Sequence, residues 1–378
     1  MAACANSLQS GEFIVGMKCH SEEVASSVGQ VIERERGNMI SWGSINRRRI
    51  FVTFIVMAFA LLLPSEKATA QTTCGRTIRA NVVAFDQVFF YNRLGAVNPA
   101  GMIYALRRDV APINPALGLV PGNVQLRPDK RARPIVLRMN VGDCLQISFQ
   151  NLLDTNRADE DQPATRTASV HVQGLQLVGS IASDGSNVGV NPSSLVPPGG
   201  SRTYTYYAER EGNHLLYSTA ATTGGEGNGG SLPMGLFGSV NVQVSVAEWY
   251  RSQLTEADLK LATTGQTPGG QPIINYDAVY PAGHPRAGTP ILKILHNGEI
   301  VHSDLNAVIT GPNKGRFPAG TYRPNATSPD RDQPFREFTV VYHDEIKAVQ
   351  AFPQFEDPVL EHTLHSVRAG IRPAEKKA

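Results

Sequence analysis

The chain has 378 residues, 41% hydrophobic and 18% charged, which is enough apolar material for a sizeable core and more chain than one small domain needs. Its net charge of +2, with no Lys/Arg run interleaved with aromatics, argues against a nucleic-acid partner. Thirty-five Gly and 25 Pro argue for many short strands joined by turns, and against a helical bundle.

In chain order, the first clear signal is for export. Arg47, Arg48 and Arg49 precede an apolar run at 50–63, and Ala68-Thr69-Ala70 offers the small residues that a signal peptidase reads, leaving Gln71 first after cleavage. The run is shorter than the roughly 20 residues a spanning helix needs, so no stable membrane anchor is expected. Residues 1–70 therefore read as an extension followed by a signal peptide over about 39–70, with Met39 as the natural start and a periplasmic or secreted destination. The Arg pair fits a twin-arginine signal and the apolar run fits the general route equally well. Beyond residue 70 only Cys74 and Cys144 remain, an even pair that in an oxidising compartment reads as a disulfide.

Two segments, 145–150 and 240–246, alternate apolar and polar without a break and read as half-buried strands. Further strands are expected at 82–90, 135–139, 169–175, 202–207 and 213–218, separated by Gly, Pro, Asn and Asp clusters. About seven strands so arranged make a Greek-key sandwich over 71–246 the economical architecture. Residues 224–230 are a glycine-rich loop. Residues 247–335 read as a long loop-rich insertion or linker holding one amphipathic helix within 248–262, with Leu254, Leu259 and Leu261 as its apolar contributors. Order resumes with a strand at 338–342, and 336–378 reads as the start of an incomplete second domain.

Between 134 and 246 a series of short motifs stands in a definite order. Val141-Gly142-Asp143 leads to Asn151-Leu152, then His171-Val172-Gln173-Gly174, Asp184-Gly185, Val196-Pro197-Pro198-Gly199, Tyr204-Thr205-Tyr206, Gly212-Asn213-His214 and Gly235-Leu236-Phe237-Gly238. In order and spacing this set resembles the first cupredoxin (plastocyanin-like) domain of multicopper oxidases. The resemblance implies an all-β, cupredoxin-like sandwich. In the full family it also implies copper-dependent oxidation of a substrate coupled to oxygen reduction. Residues i and i+2 of a strand share a face, which is how a His-x-His pair serves neighbouring coppers. Here His171 holds the first place and Gln173 the second, while Tyr217-Ser218-Thr219 stands where the family has His-Ser-His.

His171 is thus the one candidate metal ligand and copper the one candidate cofactor. The alternative for His171 is a half-buried strand histidine hydrogen-bonded within the fold. His214 corresponds to a position that binds no metal, and the His362/His365 pair lies in a tail without a third ligand. Asp184 and Tyr204 read as fold residues. No catalytic set of paired carboxylates or of nucleophile and base emerges. The expected protein is a multicopper-oxidase-like oxidoreductase fragment, inactive alone, whose copper site a separate chain or missing C-terminal domains would complete. The rival is a copper-free cupredoxin-fold binding or structural module.

Overall fold

The structure, a computed structural model, describes residues 73–222, 229–310, 334–343 and 347–352. The expected signal peptide, the glycine-rich loop for the most part, His362 and His365 lie outside them, as does most of 336–378. Among the described residues no helix is long and apolar enough to cross a membrane.

Strand β1 (Arg76–Asp86) begins by alternating exposed Arg79 and Asn81 with buried Ile78, Ala80 and Val82, then is buried continuously through Phe85. The change reflects apolar cover on both faces of its second half. Ala84 joins the main core, whereas Val83 and Phe85 pack on the other side with Ile103, Ala105, Val110 and Leu152. Strand β2 (Met102–Leu106), buried at every residue, pairs antiparallel with that half, Val82 opposite Leu106. There follow β3 (Ile135–Asn140), β4 (Asp143–Asn151), β5 (His171–Val172), β6 (Gln176–Leu177), β7 (Ser201–Tyr207), β8 (Gly212–Tyr217) and β9 (Phe237–Gln243).

Strand β4 lies parallel to β1 along nine register pairs, from Arg76 opposite Asp143 to Ala84 opposite Asn151, and β7 and then β6 continue that sheet. The second sheet runs β3-β9-β8-β5, with β3 and β9 parallel. Parallel partners cannot be joined by a hairpin. The chain accordingly alternates between sheets, giving an all-β Greek-key sandwich. Ile78, Leu145, Ile147, Phe149 and Tyr204 of the first sheet meet Ile135, Leu137, Leu216, Val240 and Val242 of the second in one core. Cys74 and Cys144 are joined, with Cα atoms 5.4 Å apart, at the open end of the β1–β4 pair. A loop of this size contributes about 4 kcal/mol in the chain-entropy account.

Residues 247–335 carry more than connecting chain. Strand β10 (Glu248–Arg251) buries Trp249 and Tyr250, so the helix α1 covers only Glu256–Ala262, capped by Thr255 Oγ1 accepting from the Asp258 amide at 3.1 Å. Leu261, expected on the packed face, is 44% exposed. The hairpin β11 (Leu295–His296) and β12 (Glu299–Ile300) extends the first sheet beside β1. Strands β13 (Ala307–Thr310) and β14 (Phe335–Glu337) join β10 in a three-stranded sheet. Strand β14 thus lies just before the expected 338–342, where Phe338, Val340 and Tyr342 are exposed.

Glu337 explains the shift. Arg138, fully buried on β3, donates to its Oε1 from Nε and Nη2 at 3.1 and 2.8 Å, and to the Asp304 and Leu305 carbonyls at 2.7 and 3.0 Å. Asn241 and Gln243 of β9 also donate to the Glu337 carboxylate, and Asn241 to Thr339 Oγ1. The polar half of β9, expected to face water, is therefore buried under the returning chain.

Nearby, the Asp304 carboxylate receives Arg133 at 3.0 Å and Arg251 at 2.9 Å. Burial alone would raise its pKa, but Arg251 and Arg133 hold it below the usual carboxylate value. His302 Nε2 donates to the Pro290 carbonyl at 2.8 Å. Burial, reinforced by the positive Arg251, pushes its pKa down to about 3.

Two outcomes follow. Glu337→Ala strips a buried guanidinium of its partner and is expected to cost about 3–5 kcal/mol, read as a lower urea midpoint. An unchanged midpoint would refute the account. For His302 the folded pKa lies below the ordinary 6.5, so at intermediate pH the unfolded chain binds more protons and stability falls as pH is lowered. Between about pH 6.5 and 5, above the range where carboxylates titrate, the urea midpoint should drop in the parent and stay flatter in His302→Gln. Equal slopes in the two proteins would show that His302 is not the group responsible.

Candidate metal centre

Val170 and Val172 pack into the core, which turns Ser169 and His171 to the opposite face. His171 sits directly across from Tyr217 on β8, with Leu216 across from Val172. The strand expected at 169–175 is shorter, because the chain leaves the second sheet for the first at Gly174. That glycine has φ +85°, and a Cβ there would lie 3.0 Å from His214 Nδ1. Gln173 consequently stands in the turn, its amide donating to the Leu215 carbonyl at 2.9 Å and its side chain exposed.

His171 is half-buried and tied into the fold. Its Nδ1 lies 2.8 Å from the Asp184 carbonyl and 3.4 Å from Asp184 Oδ1. A carbonyl oxygen only accepts, so Nδ1 carries a proton, which leaves Nε2 as the nitrogen that could ligate. The contact depends on Gly185 (φ +84°), where any Cβ would meet the Val170 carbonyl at 2.2 Å. Tyr206 donates to the same Asp184 carbonyl at 3.0 Å, and the Tyr217 ring meets the imidazole edge-on, centroids 5.5 Å apart.

Thr219 is committed elsewhere. Its hydroxyl donates to the Gly185 carbonyl and lies 3.3 Å from Ser169 Oγ, which accepts from the Thr219 amide at 3.1 Å. The three places where the family has imidazoles are therefore an exposed amide, a phenol ring packed on His171 and a hydroxyl closing a loop.

As a donor set this does not fit a copper cluster. One imidazole is present, and the amide and hydroxyl oxygens around it are poor copper donors. Among the described residues no three His, Cys, Asp or Glu side chains are grouped to hold a metal ion. His214 is an odd number of residues from Tyr217 along β8, hence on the other face, with Nδ1 3.0 Å from the Gln173 carbonyl. His284 stacks on Tyr280 and His302 lies in the buried ion-pair region, so neither joins His171. Asp184 and Tyr204 are fold residues here: Tyr204 donates to the Ser194 carbonyl at 2.7 Å.

Other residues of the motif series have packing duties. Buried Asn151 donates to the Arg166 and Val196 carbonyls at 2.9 and 2.8 Å and accepts from the Leu153 amide. Asp143 accepts from the Asn140 amide at 2.9 Å and pairs with Arg76 at 2.6 Å. These roles need several distant segments at once, and only the motif order hinted at them.

No protein-family model matches the chain, and no curated protein matches it. Among solved structures it is similar to a multicopper oxidase from Pseudomonas thermotolerans, at 22% identity over 44% of this chain and 30% of that one, TM-score 0.28. It is also similar to a copper nitrite reductase from Nitrosomonas europaea, at 15% identity over 45% and 42% of the two chains, TM-score 0.26. A laccase from Botrytis aclada matches at 19% identity over 46% and 23%, TM-score 0.26. The matched stretch spans less than half of each of these solved chains.

Proposed function

We propose that the chain is an exported, multicopper-oxidase-like protein whose cupredoxin-type sandwich has kept its packing motifs and exchanged its copper-binding side chains, so that alone it oxidises no substrate. The observation that supports this best is the structural employment of Tyr217 and Thr219 beside His171. A ring packed on the imidazole and a hydroxyl bridging Ser169 and Gly185 do in this fold what no free ligand position would need. Should copper bind with ligands from another chain or further domains, this chain's contribution is His171 Nε2. The Cys74–Cys144 bridge supports a periplasmic or secreted destination, because such bonds persist in oxidising compartments. A second reading, a copper-free binding module, is favoured by the contacts that occupy Tyr217 and Thr219 beside His171.

Oxygen uptake with a phenolic substrate should not exceed that of free copper, and uptake well above it would overturn the proposal. Restoring imidazoles by Gln173→His, Tyr217→His and Thr219→His together should leave activity absent, since four nitrogen donors on one domain still lack the remainder of a cluster. Copper retained after dialysis should fall far below one per chain. One tightly held ion that His171→Ala abolishes would instead make the isolated chain a copper protein and sink the copper-free reading.

A further inference from the structure

A second concavity lies away from His171, where the segment after β1 meets the start of β9. Phe89, Tyr91, Ile103, Pro134 and Phe237 wall a cavity of about 240 Å³. Its rim opens to water through Phe90 and Tyr91, exposed at 48% and 40%. An apolar cavity of about 150 Å³ suffices for benzene, so this one has space for a single ring with a short substituent and too little for a nucleotide.

The walls are aromatic and aliphatic, and Arg133 adds a charge. Its Nη2 donates to Asp304 Oδ1 at 3.0 Å, but that carboxylate is already paired with Arg251 through Oδ2 at 2.9 Å. Arg251 also reaches Asp258 Oδ2 at 3.7 Å, but Asp258 is itself shared with Arg286 at 3.2 Å, so in this chain of contacts three guanidinium groups face two carboxylates and positive charge is left beside the cavity wall. A guanidinium has five N–H donors, and Asp304 takes one of Arg133's. The neighbouring Arg138 does not change this balance, since Glu337 neutralises it. An aromatic slot with a cation at its edge matches a flat ring bearing an anionic group, the ring lying against Phe89 and Phe237 and the anion accepting from Arg133.

We propose that this cavity is a binding site for small aryl carboxylates. The site is independent of His171 and of whether copper binds. Its walls combine Phe89, Ile103 and Phe237, which lie in paired strands, with loop residues that include Tyr91, Arg133, Val341 and His343.

Benzoate serves as the probe, with benzyl alcohol as its neutral counterpart, both titrated calorimetrically into the full chain. Benzoate should bind saturably and more tightly than benzyl alcohol. Arg133→Gln should weaken benzoate about tenfold while shifting benzyl alcohol by less than about twofold, because only the anion uses the charge-assisted bond. Ala132→Trp, a change at an exposed residue on the cavity's lining, should abolish both with the thermal unfolding midpoint unchanged. Absence of benzoate binding in the parent, equal weakening of both probes by Arg133→Gln, or undiminished binding in Ala132→Trp would each overturn the assignment.

Discussion

A guanidinium buried without any contact to water is the constraint on which the second half of this fold depends. Arg138 points away from the sandwich core, on the face of the second sheet that would otherwise be solvated. Removing such a group from water costs several kcal/mol, and that cost is offset only if its donors are met with good geometry. Here Glu337 and the carbonyls of Asp304 and Leu305 meet them, and they come from about 170 to 200 residues further along the chain. The return of residues 302–305 and 335–339 onto β3 and β9 is therefore a condition of burying Arg138. It is also what places Asp304 between Arg133 and Arg251.

That return changes the character of the second sheet. An antiparallel strand with one wet face carries polar residues at alternate positions without consequence. On β9 the alternate positions Ser239, Asn241 and Gln243 are buried, and each bonds a neighbour: Ser239 to Asn213, Asn241 to Glu337 and Thr339, Gln243 to Glu337. Buried polar groups of this kind hold one register and one covering segment, since any other leaves them unsatisfied. The aromatic cavity at the start of β9 and the Asp304 cluster beside it are by-products of the same covering chain.

Around His171 the side chains serve the packing of the fold. Asn151, Asp143, Tyr204 and Gly185 each hold distant segments together. The Tyr217 ring packs on the His171 imidazole and the Thr219 hydroxyl donates to the Gly185 carbonyl. The apolar core of the sandwich runs unbroken from β1 to β9.

The strands at 145–150 and 202–207 were legible in the sequence because a half-buried strand writes its period of two into the residues it uses. The Cys74–Cys144 pairing was legible because no other cysteine lies beyond residue 70. That Gln173, Tyr217 and Thr219 are not imidazoles was equally plain, since it depends only on residue type. Strand β2 carries a short continuous apolar run with no alternation, which no local pattern distinguishes from other buried chain, and its pairing with β1 alone reveals it. The break at Gly174 follows from His214 lying against it, forty residues further along. Nothing local to Glu337 says that a guanidinium two hundred residues earlier needs it, so the end of β14, the burial of β9 and the cavity beside Arg133 were decided by tertiary packing. Period and composition report what one segment prefers; the satisfaction of buried charge depends on which segments meet.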